Sequence, residues 1–184
     1  MQSEYCGKII RRLIADHHKG RPTPKQEIGS DLSLSNQKLA SILEETQSYL
    51  RAFELEIAGV SPSAPVYFEF SDKVFLRRIL STDDELTDSK KFKPSVVDDD
   101  RLLFFILVAI QIENNSLAES KLDVIGSCRY FSQVSVLDTM KRLKGQGYLS
   151  CKRDDEETTW SYGWRYYVEF EDSFNFIGFC KRDA

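Results

Sequence analysis

Apolar residues recur at helical spacing in some stretches of the chain and alternate with polar ones in others. Residues 4–16 place Tyr5, Ile9, Ile10, Leu13 and Ile14 toward one side and Lys8, Arg11 and Arg12 toward the other, which predicts an amphipathic helix. Thr23-Pro24-Lys25-Gln26 has the form of a capping box with proline at the first helical position, predicting a short second helix that ends near Ser30. Ser35 or Asn36 opens a third, with Leu39, Ile42, Leu43, Thr46 and Leu50 on one face. Phe53 to Ile57 alternates apolar and charged residues, as a half-buried strand does. A proline-containing turn at 61–65 leads to Val66–Phe70, which reads as the returning strand, and 73–80 reads as a short helix.

The second half repeats this order. Polar residues 81–97 predict a linker. The run LLFFILVAIQI at 102–112 is well short of the ~20 residues that cross a bilayer, and so predicts a buried core helix, its N-terminus favoured by the carboxylates at 98–100. Ser116-Leu117-Ala118-Glu119 resembles a second capping box, opening a helix with Leu117, Leu122, Val124 and Ile125 that stops at Gly126. A further helix from Ser132 or Ser135 presents Val134, Leu137, Met140 and Leu143 to a core and stops at Gly145 or Gly147. Tyr148, Leu149 and Cys151 then lead into an acidic tip at 153–158; Trp160, Tyr162, Trp164 and Tyr166 lead away at alternate positions, and residues 170–179 read as a C-terminal helix. Helix-helix-helix-β-wing, twice, predicts a mostly helical α+β fold of tandem winged helices: 1–80, a linker at 81–97, and 98–184.

Charge narrows the chemistry. A formal net charge of −4 and a pI near 5.3 are unlike a dedicated nucleic-acid binder, so any DNA contact needs a local cationic patch. The strongest candidate joins Lys141, Arg142 and Lys144 at a helix end to Lys152 and Arg153 on the next strand, because a winged helix puts those elements on adjoining surfaces. Asp138 and the acidic tip oppose it by repelling phosphate, and because the cations cluster at the helix C-terminal end, contact with phosphates without sequence readout is favoured over base reading. The aromatic wing Trp160–Tyr167 could be a base-stacking platform or simply a buried face, and alternation favours packing for at least half of its rings. The cysteines Cys6, Cys128, Cys151 and Cys180 have neither zinc nor disulfide spacing. His17 and His18, adjacent on a helix, diverge too far to share an ion readily. With no phosphate-binding glycine loop and no nucleophile spaced beside a base, neither an enzyme nor a cofactor or metal site is expected. With no signal peptide and no spanning segment, an intracellular protein is expected. Ile9, Ile10, Leu13 and Ile14 crowd six positions of one helix, more than a single face can bury, so at least one is expected to be exposed and covered by a partner.

Several motifs, in order, resemble the MAGE homology domain. Gln146-Gly147-Tyr148-Leu149, then Arg153, then Trp160-Ser161-Tyr162-Gly163-Trp164-Arg165 are similar to its last helix and wing; Leu102–Ile112 followed by Asn115-Ser116-Leu117-Ala118-Glu119 is similar to its apolar entry helix and the next helix start. In the first half Phe53–Ile57 resembles a family strand and Leu13-Ile14 stands in place of its dileucine. Departures are the Ile14 of that pair, Trp164 where proline is frequent, and the acidic tip. The resemblance implies a non-catalytic adaptor of tandem winged helices that binds a RING-type ubiquitin ligase subunit, for which the crowded aliphatics Ile9, Ile10, Leu13 and Ile14 are the candidate contacts. A compact chain without long tails points to the ancestral type, a subunit of the SMC five-six chromosome-maintenance and DNA-repair complex. The resemblance then implies a RING-like and a kleisin partner, shared binding of double-stranded DNA, for which the cationic patch Lys141, Arg142, Lys144, Lys152 and Arg153 is the candidate surface, and a nuclear, chromosomal location. An adaptor of another RING ligase, or a stand-alone winged-helix transcriptional regulator, is the alternative.

Overall fold

The computed structural model describes residues 2–62, 64, 66–79, 100–122, 136–154 and 157–170. The chain forms two compact units, Met1–Asp84 and Glu85–Ala184. The expected linker at 81–97 and the expected C-terminal helix beyond Phe170 lie outside the described residues, as do Val124, Ile125 and Gly126.

In the first unit α1 (Gln2–His18) leads to a two-residue strand β1 (Thr23–Pro24), then α2 (Lys25–Asp31), α3 (Asn36–Arg51), β2 (Leu55–Gly59) and β3 (Lys73–Arg78). The strands form an antiparallel sheet in the order β1-β3-β2. Cys6, Ile9 and Leu13 of α1 meet Leu39, Ile42, Leu43 and Leu50 of α3 over Ile57, Val74 and Leu76 of the sheet, so one apolar stripe from each helix closes the core. Ser35 caps α3 by accepting from the Lys38 N–H, and the Gln47 side-chain oxygen accepts from the Ile57 N–H at 2.6 Å, fixing α3 to β2.

The second unit has the same plan: α4 (Asp100–Ile112), β4 (Leu117–Ala118), a 3-10 turn at Glu119–Lys121, α5 (Val136–Gly145), β5 (Leu149–Arg153), β6 (Thr158–Tyr162) and α6 (Trp164–Glu169). Its sheet order is β4-β6-β5. Leu102, Leu103, Ile106, Leu107 and Ile110 of α4 pack with Met140 and Leu143 of α5 and with Trp160 and Tyr162 of β6. This is a mostly helical α+β fold, two small antiparallel sheets flanked by helices, in keeping with tandem winged-helix-like units.

Three local expectations are corrected. Neither capping box caps a helix. Thr23 pairs in register with Val74 and its hydroxyl donates to Asp16, while α2 starts after Pro24 with no side-chain cap. Leu117 pairs with Trp160, and Glu119 accepts from the Trp160 indole N–H instead of reaching back. In both places a short strand closing a sheet outcompetes a local capping bond. Second, the returning strand is β3, where a helix was expected. Val74, Phe75 and Leu76 are all buried, so the strand shows no alternation and looks like any short apolar run. The alternating Val66–Phe70 instead makes one bridge, Val66 to Gly59, and a 3-10 turn at Phe68–Phe70. Likewise β2 begins at Leu55, leaving Phe53 exposed in the preceding turn. Third, Trp164 and Tyr166 lie on α6, not on the return strand. The strand ends at Tyr162 and the chain turns at Gly163, where an added Cβ would come within 2.2 Å of the Gly147 carbonyl oxygen.

Candidate functional site

A buried carboxylate holds α1 in place. Asp16 is almost fully buried and receives hydrogen bonds from Arg12 Nε at 2.8 Å, Arg21 Nε at 2.7 Å and Thr23 Oγ1 at 2.9 Å. Burial alone would push its carboxyl up, but these three donors and the Arg12 charge outweigh that and hold it below the ordinary value. Arg12 continues to Asp31 at 2.9 Å and to Glu27, so one guanidinium ties α1 to α2.

On the helix so fixed, the four candidate aliphatics separate. Ile9 and Leu13 lie in the core, Leu13 with 1% of its surface accessible. Ile10 is half-buried, and Ile14 is 38% exposed. Of the four, only Ile10 and Ile14 reach the surface of α1, with Ile9 and Leu13 beneath them.

The second candidate surface lies where α5 meets β5. Val136, Thr139, Met140 and Leu143 turn inward, which leaves Lys141, Arg142 and Lys144 outside. Lys144 Nζ donates to Cys151 Sγ at 2.9 Å, joining the helix end to the strand that carries exposed Lys152 and Arg153. Lys141 lies 3.6 Å from Asp138 and Lys152 lies 3.2 Å from Asp154, so a carboxylate offsets each of these two cations.

The aromatic wing is core. Trp160, Tyr162 and Tyr166 are buried, and the Tyr162 and Tyr166 rings stack at 3.9 Å. Burial, reinforced by Tyr166, pushes the Tyr162 hydroxyl far above its usual range; it donates to the Leu107 carbonyl at 3.3 Å. His17 Nδ1 lies 2.8 Å from the Leu76 carbonyl, so it carries the proton of that bond, and the ring rests on Phe75. Among the described residues no group of three or more His, Cys, Asp or Glu side chains could hold a metal ion.

Two features escaped the sequence reading. One is a buried polar knot: Arg165, with no accessible surface, donates to Glu169 at 2.8 Å, lies over the Tyr148 ring at 4.8 Å, and Tyr148 donates to the other Glu169 oxygen at 2.6 Å. Tyr148 and Arg165 stood in the motifs quoted above, but only the i, i+4 spacing of Arg165 and Glu169 hinted at their pairing. The other is a pair of exposed rings, Tyr67 at 78% and Phe70 at 82%, on the loop between β2 and β3.

A solved structure of an Nse1-Nse3-Nse4 complex contains a chain that this one resembles in fold, with a TM-score of 0.61 at 15% identity, over 100% of this chain and 97% of that one. No protein-family model and no curated protein matches the sequence.

Proposed function

We propose that this chain is a MAGE-type, non-catalytic scaffold subunit of an SMC five-six chromosome-maintenance complex. It binds a RING-type subunit through α1 of the first unit, joins a kleisin, and adds phosphate-directed contacts to duplex DNA through the junction of α5 and β5. The observation that carries the reading is the likeness, over nearly the full length of both chains, to a chain of an Nse1-Nse3-Nse4 complex. The motif resemblance points to a subunit of the same kind of complex. The division of residues on α1 also suits it. A rigid, well-buried underside displays two aliphatics on an otherwise charged helix, as a docking surface must. Such a subunit works in the nucleus, on chromosomes.

The test is co-expression with the RING-type and kleisin subunits of the same organism. The expected result is a stable three-subunit complex that loses the RING-type subunit in Ile14→Asp, while the variant chain melts as the parent does. A chain that assembles with neither subunit, or an Ile14→Asp variant that retains the RING-type subunit at parental affinity, would overturn the reading.

A further inference from the structure

Helix α1 carries a notch beside its exposed aliphatics. Successive helical residues turn by 100°, so Ser3, Gly7, Ile10 and Ile14 fall within about 60° of one another, along one uncharged stripe. Gly7 lies in the middle of this helix, where glycine costs stability relative to alanine. Among the described residues nothing requires it: a Cβ at Gly7 would meet no atom within 4 Å. A helix that accepts an interior glycine on its outer side gains nothing from it alone, but it gains a place where another backbone or a large side chain can approach closely.

The charges beside the stripe are unequal. Lys8 pairs with Glu4 at 2.8 Å, and Arg12 pairs with Asp16, Glu27 and Asp31. Arg11 borders the stripe, exposed, with only the Gly7 carbonyl at 3.4 Å; among the described residues it makes no ion pair. The stripe thus combines a ridge, Ile10 and Ile14, a notch, Gly7, and one cation without a carboxylate.

We infer that the partner's contacting element is a helix crossing α1 at Gly7. It seats a large aliphatic or aromatic side chain in the notch beside Ile10 and Ile14 and turns a carboxylate toward Arg11. This rests on the reading that the RING-type subunit docks on α1, and it names the chemistry of that subunit's surface. Ridges one turn apart fit the grooves of another helix, and a glycine at the crossing lets the axes approach toward the short end of the usual ~8–10 Å range.

The probe is the co-expressed RING-type subunit, titrated calorimetrically with the full chain. Gly7→Leu should leave the melting temperature of the free chain unchanged or raised, since the site is open, and weaken binding about tenfold or more by overfilling the notch. Gly7→Ala should do the same to a smaller degree. Arg11→Glu should weaken binding and lower its salt dependence. Parental affinity in Gly7→Leu, or a lowered melting temperature in the free variant, would overturn the inference. If Ile14→Asp weakens binding and Gly7→Leu does not, docking on α1 stands and the notch is wrong; if neither does, the docking reading itself fails. Self-association of the free chain that Gly7→Leu abolishes would assign the notch to a second copy and overturn the partner proposed here.

Discussion

The guanidinium of Arg165 lies 4.8 Å from the centre of the Tyr148 ring, and neither side chain reaches solvent. Both converge on Glu169, the first through Nε and the second through its hydroxyl, so a buried charge pair and a ring lock α6 against the start of β5. Deleting one member strands the other. Arg165→Ala should therefore cost about 3–5 kcal/mol, whereas Arg165→Met combined with Glu169→Leu should cost less than Arg165→Ala alone. Urea unfolding followed by tryptophan fluorescence reads this directly, since both tryptophans, Trp160 and Trp164, belong to the second unit.

Acid should weaken the first unit through Asp16. Its folded carboxyl is held below the ordinary value of 3.8, so the native state binds that proton less readily than the unfolded chain. The stabilisation is complete above the unfolded value and is lost as pH falls through the lower folded one. Asp16→Asn should lower stability by about 1–3 kcal/mol at neutral pH and flatten the part of the stability curve below about pH 4. A pH series of unfolding curves for parent and variant gives the comparison.

Neighbours on α1 should behave oppositely. Leu13→Ala removes a core side chain and should cost about 2–5 kcal/mol, while Ile14→Ala at a 38% exposed position should stay below about 1 kcal/mol. Thermal melts of the two variants suffice. The contrast also decides which substitution can probe binding: an aspartate at position 13 unfolds the unit, and only one at position 14 tests the surface.

For the cationic junction, Lys141→Glu, Arg142→Glu and Lys144→Glu together should weaken duplex binding by the assembled complex equally for all sequences and flatten its dependence on salt. RING-type subunit binding, placed on the other unit, should not change. Fluorescence anisotropy with two unrelated duplexes at two salt concentrations checks both halves; undiminished affinity would mean that these cations are ordinary solvated helix-end residues.

How far the sequence could be read depended on whether burial was one-sided. The amphipathic helices α1 and α3 show one apolar stripe each, and Leu39, Ile42, Leu43 and Leu50 all point where the spacing puts them. Strand β3 is covered on both sides, with Val74 and Leu76 in the core and Phe75 against His17, so its pattern carries no period. Thr23 and Glu119 carried valid local signals that distant partners, Asp16 and Trp160, claimed instead. Of the candidate surface on α1, the crowding of four aliphatics was visible, but which of them face outward depends on how α3 and the sheet seat the helix. Gly7 gave no signal at all, because an open side is a property of surroundings.

In both units the central strand of the sheet is the last of its three to leave the ribosome: β3 follows β1 and β2, and β6 follows β4 and β5. Thr23 cannot find Val74, nor Leu117 find Trp160, until nearly the whole unit has been synthesised. Until then β1 and β2 have no neighbour in their own sheet, and the same holds for β4 and β5. Each unit therefore commits to its sheet in a single late step. The first can do so while the second is still being made, so a nascent chain would carry a finished α1 surface before the unit that bears the cationic junction exists.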